Sequence, residues 1–297
     1  MAAQQVNQGT APPGEAIVAR IGLISDTHMP QRCAALPDAV FDALEGVDLI
    51  LHAGDVGELW VLDHLSTIAP VVAVHGNDET EEAQRELPYQ QLVTVAGQRV
   101  LLRHSHHQDR AEELASRGRS WHQILDRLAE RGRRSGARVV VFGHAHVPLT
   151  YQHGDVHIVN PGALASGHLF TRQRLKTVAL LSIVEHGTPV VTHVDLVAPQ
   201  RTFVPAADWE APFSAAFRQT QAPIVEKDLL DAVTELMQQT YRDMDALVEA
   251  VLPLCHPCWS DPQLRISRSN LLDLIRDNAA IASADREKGL AILSGAR

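Results

Sequence analysis

The chain has 297 residues, 45% hydrophobic and 21% charged, which is enough apolar material for a packed core and suits one large domain with or without an appendage. Its 36 acidic residues outnumber 26 Lys and Arg, and the formal net charge of −10 argues against a surface that coats a nucleic-acid polymer. Cys33, Cys255 and Cys258 are too few for a disulfide framework, and neither a signal-like N-terminus nor an apolar run of ~20 residues is present, so the expectation is a cytoplasmic, non-membrane protein.

Residues 1–19 are polar and rich in Gly, Pro and Gln, and are expected to form a disordered tail. From Ala19 short apolar runs alternate with amphipathic stretches. VARIGLISD reads as a buried strand followed by a helix over Pro37 to Leu44. VDLILHAGD is a second strand, Glu58 to Ile68 a second helix, and VVAVHGN a third strand. Such a βαβαβ opening predicts strands buried on both faces. QLVTVAGQRVLLRHS reads as a hairpin about its glycine, Trp121 to Arg134 as a helix, and RVVVFGHAH as a strand. YQHGDVHIVN and the pair TVALLSIVE and VVTHVDLV add hairpins, so alternation gives way to two packed mixed sheets flanked by helices. Beyond Pro199 the composition turns to helix formers. VEKDLLDAVTELMQQTYRDMDALVEAVL and SNLLDLIRDNAAIA carry helical spacing, with Asp228 and Ser267 or Ser269 as caps. The expected organisation is a tail over 1–19, an α/β domain over 20–198 and an α-helical extension over 199–297.

The chemistry-bearing residues fall at strand ends. Asp26 and His28 follow the first strand in SDTH, Asp55 the second in AGD, and Asn77 the third in HGN. His104 follows VLLR, and His144 and His146 follow RVVVFG. The crevice beyond strand C-termini is where α/β sheets build sites. D-x-H and H-x-H just past a strand offer compact ligand pairs, a carboxylate such as Asp55 can bridge two ions, and neutral imidazoles suit first-row transition metals. Gly54, Gly76 and Gly143 each precede one of these residues and leave room for a sharp turn. Taken singly, D-x-H, G-D and G-N are ordinary turn sequences. Their joint occurrence in this order predicts a metal site.

This ordered set (SDTH, AGD, HGND, LLRHSHH, FGHAH and the later NPGALA) resembles the calcineurin-like metallophosphoesterase superfamily, and within it the small bacterial and archaeal phosphodiesterase branch. The resemblance covers roughly residues 20–198. It implies a four-layer α-β-β-α sandwich of two mixed sheets. It further implies that Asp26, His28, Asp55 and His146 hold one divalent metal, that Asp55, Asn77, His104 and His144 hold a second, and that a water or hydroxide between the ions attacks phosphorus. Manganese leads the candidate ions, ahead of nickel, iron and zinc.

Departures from the family pattern sharpen the expectation. Many members carry His directly after the Asn; this chain has Asp78, as the small phosphodiesterase branch often lacks that His. Asp78 and His106, in RHSHH, are the candidates for catalytic work at the leaving group. GDVGELW lacks the Arg of the protein-phosphatase branch, and the NPGS of relatives reads NPGA here, with Ala163 in place of the hydroxyl. Among other residues, Cys255-His-Pro-Cys258 reads as packing or a helix end more than as a zinc or redox motif. Arg127, Arg131, Arg133, Arg134 and Arg138 read as a solvated face. His52, His75 and His157 read as hydrogen-bonded residues in or near the core, while His168 and Arg172 are candidates to meet substrate. The expected activity is hydrolysis of phosphodiester bonds in a small phosphate-ester substrate. The alternatives are a phosphomonoesterase or nucleotidase, and a non-catalytic protein-binding scaffold on the same fold. The C-terminal helices are the expected surface for any homo-oligomer.

Overall fold

The computed structural model describes residues 16–105, 119–185, 188–206, 208, 210–240 and 245–295. Two compact units partition it. The first runs to Ala165 and resumes over Arg174–Thr220; the second takes Ser166–Gln173 and resumes at Gln221.

In the first unit, strands β1 (Ile17–Ile24), β2 (Leu49–His52) and β3 (Val71–Ala73) alternate with helices α1 (Asp38–Leu44) and α2 (Trp60–Ser66). Helix α3 (Glu81–Glu86) then leads to β4 (Gln90–Val95) and β5 (Gln98–Arg103). Beyond lie α4 (Trp121–Arg134), β6 (Val139–Phe142), β7 (Leu149–His153) and β8 (Val156–Asn160). The long hairpin strands β10 (Thr177–Val184) and β11 (Val190–Asp195), and helix α5 (Phe213–Thr220), complete this unit. The strands form two five-stranded mixed sheets, ordered β11-β10-β1-β2-β3 and β4-β5-β6-β8-β7. β1, β2 and β3 run parallel, as do β5, β6 and β8. Their C-terminal ends therefore gather on one rim of each sheet.

Burial fixes the layers. Ile21, Leu23, Leu51, Ala179 and Leu181 of one sheet meet Val100, Leu102, Val139, Val141 and Val159 of the other in a buried apolar interface. The opposite face of the first sheet packs Ile24 and Ile50 against Val40 and Leu44 of α1 and Val61 and Leu65 of α2. The outer face of the second sheet packs Leu101, Val140, Phe142 and Ile158 against Trp121, Leu125 and Leu128 of α4. Side chains alternate across each strand with period two, so a strand buried on both faces reads as a continuous apolar run. This is the expected α-β-β-α sandwich.

Local signals placed most of these elements. Pro37 precedes α1, and Ala96-Gly97, both at positive φ, turn the β4–β5 hairpin as a two-residue loop of the type that suits right-handed strand twist. Helix α4 spans the expected residues. Helix α3 was not expected from the pattern; Thr80 caps it by accepting the Ala83 N–H at 3.2 Å. Residues 17–19, expected in the tail, belong to β1, because Ile17 and Ala19 pair with Val184 and Ile183 of β10. The rest of that tail, residues 1–15, lies outside the described residues.

The second unit holds strands β9 (Thr171–Gln173) and β12 (Gln221–Pro223), paired antiparallel, then a 3₁₀ turn (Lys227–Leu229) and four helices among the described residues. These are α6 (Leu230–Thr240), α7 (Asp245–Ser260), α8 (Arg268–Asp277) and α9 (Ser283–Ser294). Leu229, Val233, Leu236, Val251, Leu271, Ile275 and Leu293 form its core together with Phe170 and Ile224. Ser267 caps α8 in a reciprocal box with Asn270, whereas Asp228 is not a cap and pairs with Arg268 at 3.0 Å. Cys255 and Cys258 are buried within α7 as free thiols, which matches the packing reading. The division falls after Thr220 and not at Pro199. It also exchanges a segment, because β9 leaves its sequence neighbours to pair with a strand that follows it by some fifty residues. No helix among the described residues is long and apolar enough to cross a membrane.

Candidate metal centre

The five strand ends named above converge. Asp26, His28, Asp55 and His146 are all buried, and each offers a ligand atom within 4.8 Å of the others; Asp55, His104 and His144 form a second such group. Asp55 belongs to both. Asn77 joins the second group, its Oδ1 lying 3.1 Å from His104 Nε2. All seven residues expected to bind metal are thus brought together. His106 lies outside the described residues.

The backbone at these positions is unusual. Six non-glycine residues among those described have positive φ, and five of them are Asp26, His28, Asp55, His144 and His146; the sixth is Ala96 of the hairpin turn. The left-handed region costs an L-residue roughly 1–2 kcal/mol. Here it turns both members of D-x-H, and both members of H-x-H, out of the pleat and toward the crevice. Gly76 and Gly143 make this geometry sterically possible. A Cβ on Gly76 would lie 2.0 Å from Asp55 Oδ1, and one on Gly143 would lie 2.0 Å from Ser25 Oγ.

Hydrogen bonds orient these side chains. His104 Nδ1 is 2.8 Å from the Ala53 carbonyl and His146 Nδ1 is 3.0 Å from that of Ala165. Donation to these carbonyls leaves each Nε2 facing the carboxylates, the arrangement that typically orients metal-binding imidazoles. Ser25 Oγ donates to Asp26 Oδ2 at 2.6 Å, and the His144 N–H donates to both Asp26 oxygens. Behind them, the Gly54 N–H donates to His52 Nδ1 at 3.2 Å, so His52 Nε2 carries the proton toward Thr27 Oγ1, and Thr27 donates to the Val56 carbonyl at 2.8 Å. Asn160 of the NPG motif holds the H-x-H loop, donating to the Gly143 carbonyl at 2.9 Å.

Electrostatics suit a cation. Asp26 is buried, which alone would raise its pKa, yet His146 at 3.1 Å brings it down to about 2. Asp55, equally buried, is held well below the ordinary range by His104 and His28. Burial lowers His104, but the Asp55 carboxylate 3.2 Å away overrides it and lifts the imidazole to about 9. His28 Nε2 is buried without a hydrogen-bond partner among the described residues and lies 3.5 Å from Asp55 Oδ2. Two buried carboxylates, clustered imidazoles and an orphaned ring nitrogen aimed into the crevice are a donor set that fits divalent ions of the first transition row.

Asp78 stands at the edge of the cage. Its N–H donates to Asp55 Oδ1 at 2.8 Å and its carboxylate pairs with Arg32, with one oxygen 3.5 Å from His28 Nδ1. Sequence reasoning gave no role to Arg32, Ser25, Thr27 and Glu79; Ser25 and Thr27 had a visible signal as the S and T of SDTH, and Glu79 as the acid following HGND. Glu79 accepts backbone N–H groups from Val56, Gly57 and Gly76. Burial pushes its carboxyl up, and these three bonds oppose the shift. His52 and His75 are hydrogen-bonded as expected, His75 through the Gly76 carbonyl. Arg133 and Arg134 pair with Glu130 on the exposed face of α4. His168 and Arg172 belong to the second unit, where the Phe170 N–H donates to His168 Nδ1.

The chain is 38% identical over 143 residues to a probable metallophosphoesterase of Methanothermobacter thermautotrophicus, spanning 48% of this chain and 76% of that one. It is 36% identical over 145 residues to a probable metallophosphoesterase of Methanocaldococcus jannaschii, spanning 48% and 67%. Among solved structures, Vps29 of Chaetomium thermophilum aligns over 59% of this chain and 96% of its own at 22% identity, with a TM-score of 0.45. The model of the calcineurin-like phosphoesterase superfamily domain matches residues 20–186, the span that carries all seven clustered residues, and the chain belongs to that superfamily.

Proposed function

We propose that this protein is a dinuclear-metal-dependent phosphodiesterase. The observation that carries the reading is that two ligand groups share one carboxylate, Asp55. Asp26, His28, Asp55 and His146 would hold one ion, and Asp55, Asn77, His104 and His144 the other. Ions bound there would supply an acidified water as nucleophile and positive charge opposite the transferring phosphoryl group. The protein's own groups prepare that chemistry. Ser25 and the His144 N–H fix Asp26, the Asp78 N–H fixes one oxygen of Asp55, and the carbonyls of Ala53 and Ala165 fix the imidazoles of His104 and His146.

Asp78 supports a diester over a monoester. Its carboxylate sits beside His28, where many relatives have a neutral or cationic His. A phosphomonoester dianion brings one more negative charge to this edge than a diester monoanion does, and like charges at short range repel. Arg32 offsets Asp78 through their ion pair, which leaves the edge near neutral instead of cationic.

The test compares bis(p-nitrophenyl) phosphate with p-nitrophenyl phosphate at equal concentration, with Mn²⁺, Ni²⁺, Fe²⁺ or Zn²⁺ restored to chelator-stripped protein. The diester is expected to turn over faster, and chelator to abolish both rates. Faster monoester turnover would make the protein a phosphomonoesterase. Metal loading without turnover of either ester would favour a scaffold.

A further inference from the structure

The loops that carry Asp55 and Asn77 are joined in sequence only through α2 and β3, yet the cage requires their side chains to meet. In space the loops touch closely, since Gly76 packs its backbone against the Asp55 carboxylate with no room for a Cβ. One side chain spans them. Glu79 Oε1 accepts the Val56 N–H at 2.9 Å and the Gly76 N–H at 3.0 Å, while Oε2 accepts the Gly57 N–H at 2.8 Å. Val56 and Gly57 directly follow Asp55, and Gly76 directly precedes Asn77.

We propose that Glu79 is a positioning residue, a carboxylate clamp that locks the Asp55 and Asn77 loops together and so sets the affinity of the metal centre. The chemistry of the partners explains why the residue is an acid. All three are N–H donors, and a carboxylate offers only acceptors. A glutamine offers one acceptor oxygen and turns its NH₂ against the remaining N–H, leaving a donor facing a donor. The three bonds of the carboxylate go to backbone N–H groups beside Asp55 and Asn77 and to neither of those side chains. The proposal rests on the reading of Asp55 and Asn77 as metal ligands.

The experiment uses the full chain and the variants Glu79→Ala, Glu79→Gln and Asp55→Ala. Mn²⁺ affinity is measured by calorimetric titration, thermal stability on metal-free protein, and kcat and KM on bis(p-nitrophenyl) phosphate at limiting and saturating Mn²⁺. Glu79→Ala is expected to bind Mn²⁺ roughly 10- to 100-fold more weakly, the scale for losing a partner that orients a ligand. Glu79→Gln, keeping two of three bonds, should fall between. Turnover at limiting Mn²⁺ should drop in proportion and recover at saturating Mn²⁺, with KM for the ester unchanged. Wild-type Mn²⁺ affinity in both Glu79 variants, even with lowered thermal stability, overturns the proposal and leaves Glu79 a structural residue. If Glu79→Ala does not fold, Glu79→Gln alone decides: weaker binding supports the clamp and unchanged binding refutes it. Wild-type Mn²⁺ binding by Asp55→Ala would instead overturn the ligand reading itself, and the clamp with it.

Discussion

The two ligand groups share Asp55 but differ in their surroundings. Asp26, His28 and His146 are all buried, and the rings of His28 and His146 stack with centroids 5.4 Å apart. In the other group His104 is buried, His144 is partly open and Asn77 is exposed. The first group is therefore walled by fixed side chains, while the second opens to solvent through Asn77. A neutral amide is also a weaker ligand than a carboxylate. Under the proposed dinuclear reading, the tighter ion is expected on the Asp26 side and the more readily exchanged one on the Asn77 side.

The largest expected effect comes from the residue the groups share. Asp55→Ala should cost roughly 10³-fold in kcat/KM, about 4 kcal/mol of transition-state stabilisation at 1.36 kcal/mol per tenfold. Metal analysis should show both ions lost, and retention of one would show that the groups are independent. Separate variants then split them. Asn77→Ala should weaken only the second binding step, by roughly 10- to 100-fold, whereas His146→Ala should weaken the first. A calorimetric titration in which Asn77→Ala abolished the tighter step would reverse the assignment.

A smaller effect, seen in fold stability and not in either ion, comes from His193. It lies in β11, hydrogen-bonds at 3.0 Å to Thr150 of β7, and so ties one sheet to the other. Burial lowers its pKa from 6.5 to about 3. Between those values the unfolded chain binds a proton that the folded chain does not. Its contribution is thus complete above about pH 6.5 and is lost as pH falls toward 3. His193→Gln should flatten the loss of thermal stability between pH 7 and pH 4 while leaving the difference between the two metal-binding steps unchanged. An equally steep pH dependence in the variant would place the effect elsewhere, for instance at His52, which burial lowers to about 4.

The sandwich, and the convergence of the seven residues, were legible because each of them follows an apolar strand, and strands buried on both faces announce themselves as unbroken hydrophobic runs. Asn77 and His104, unremarkable singly in HGN and VLLRH, gained meaning from the ordered set of motifs and the family resemblance it carries. Glu79 was not legible as a clamp, since a carboxylate receiving backbone N–H groups has no periodicity and no required partner type. Arg32 was missed because its ion pair with Asp78 joins two loops far apart in sequence. The boundary between the units was hidden for a related reason. The pairing of β9 with β12 is a long-range choice made by packing around Phe170 and Ile224, and neither strand exceeds three residues.

The left-handed backbone of Asp26, His28, Asp55, His144 and His146 has a consequence for how this protein tolerates change. At each of these positions glycine would be the more comfortable residue for the backbone. Five side chains that gather in one crevice are thus carried on backbone that costs fold stability, so a glycine at any one of them would relax the chain locally while removing a metal-capable group.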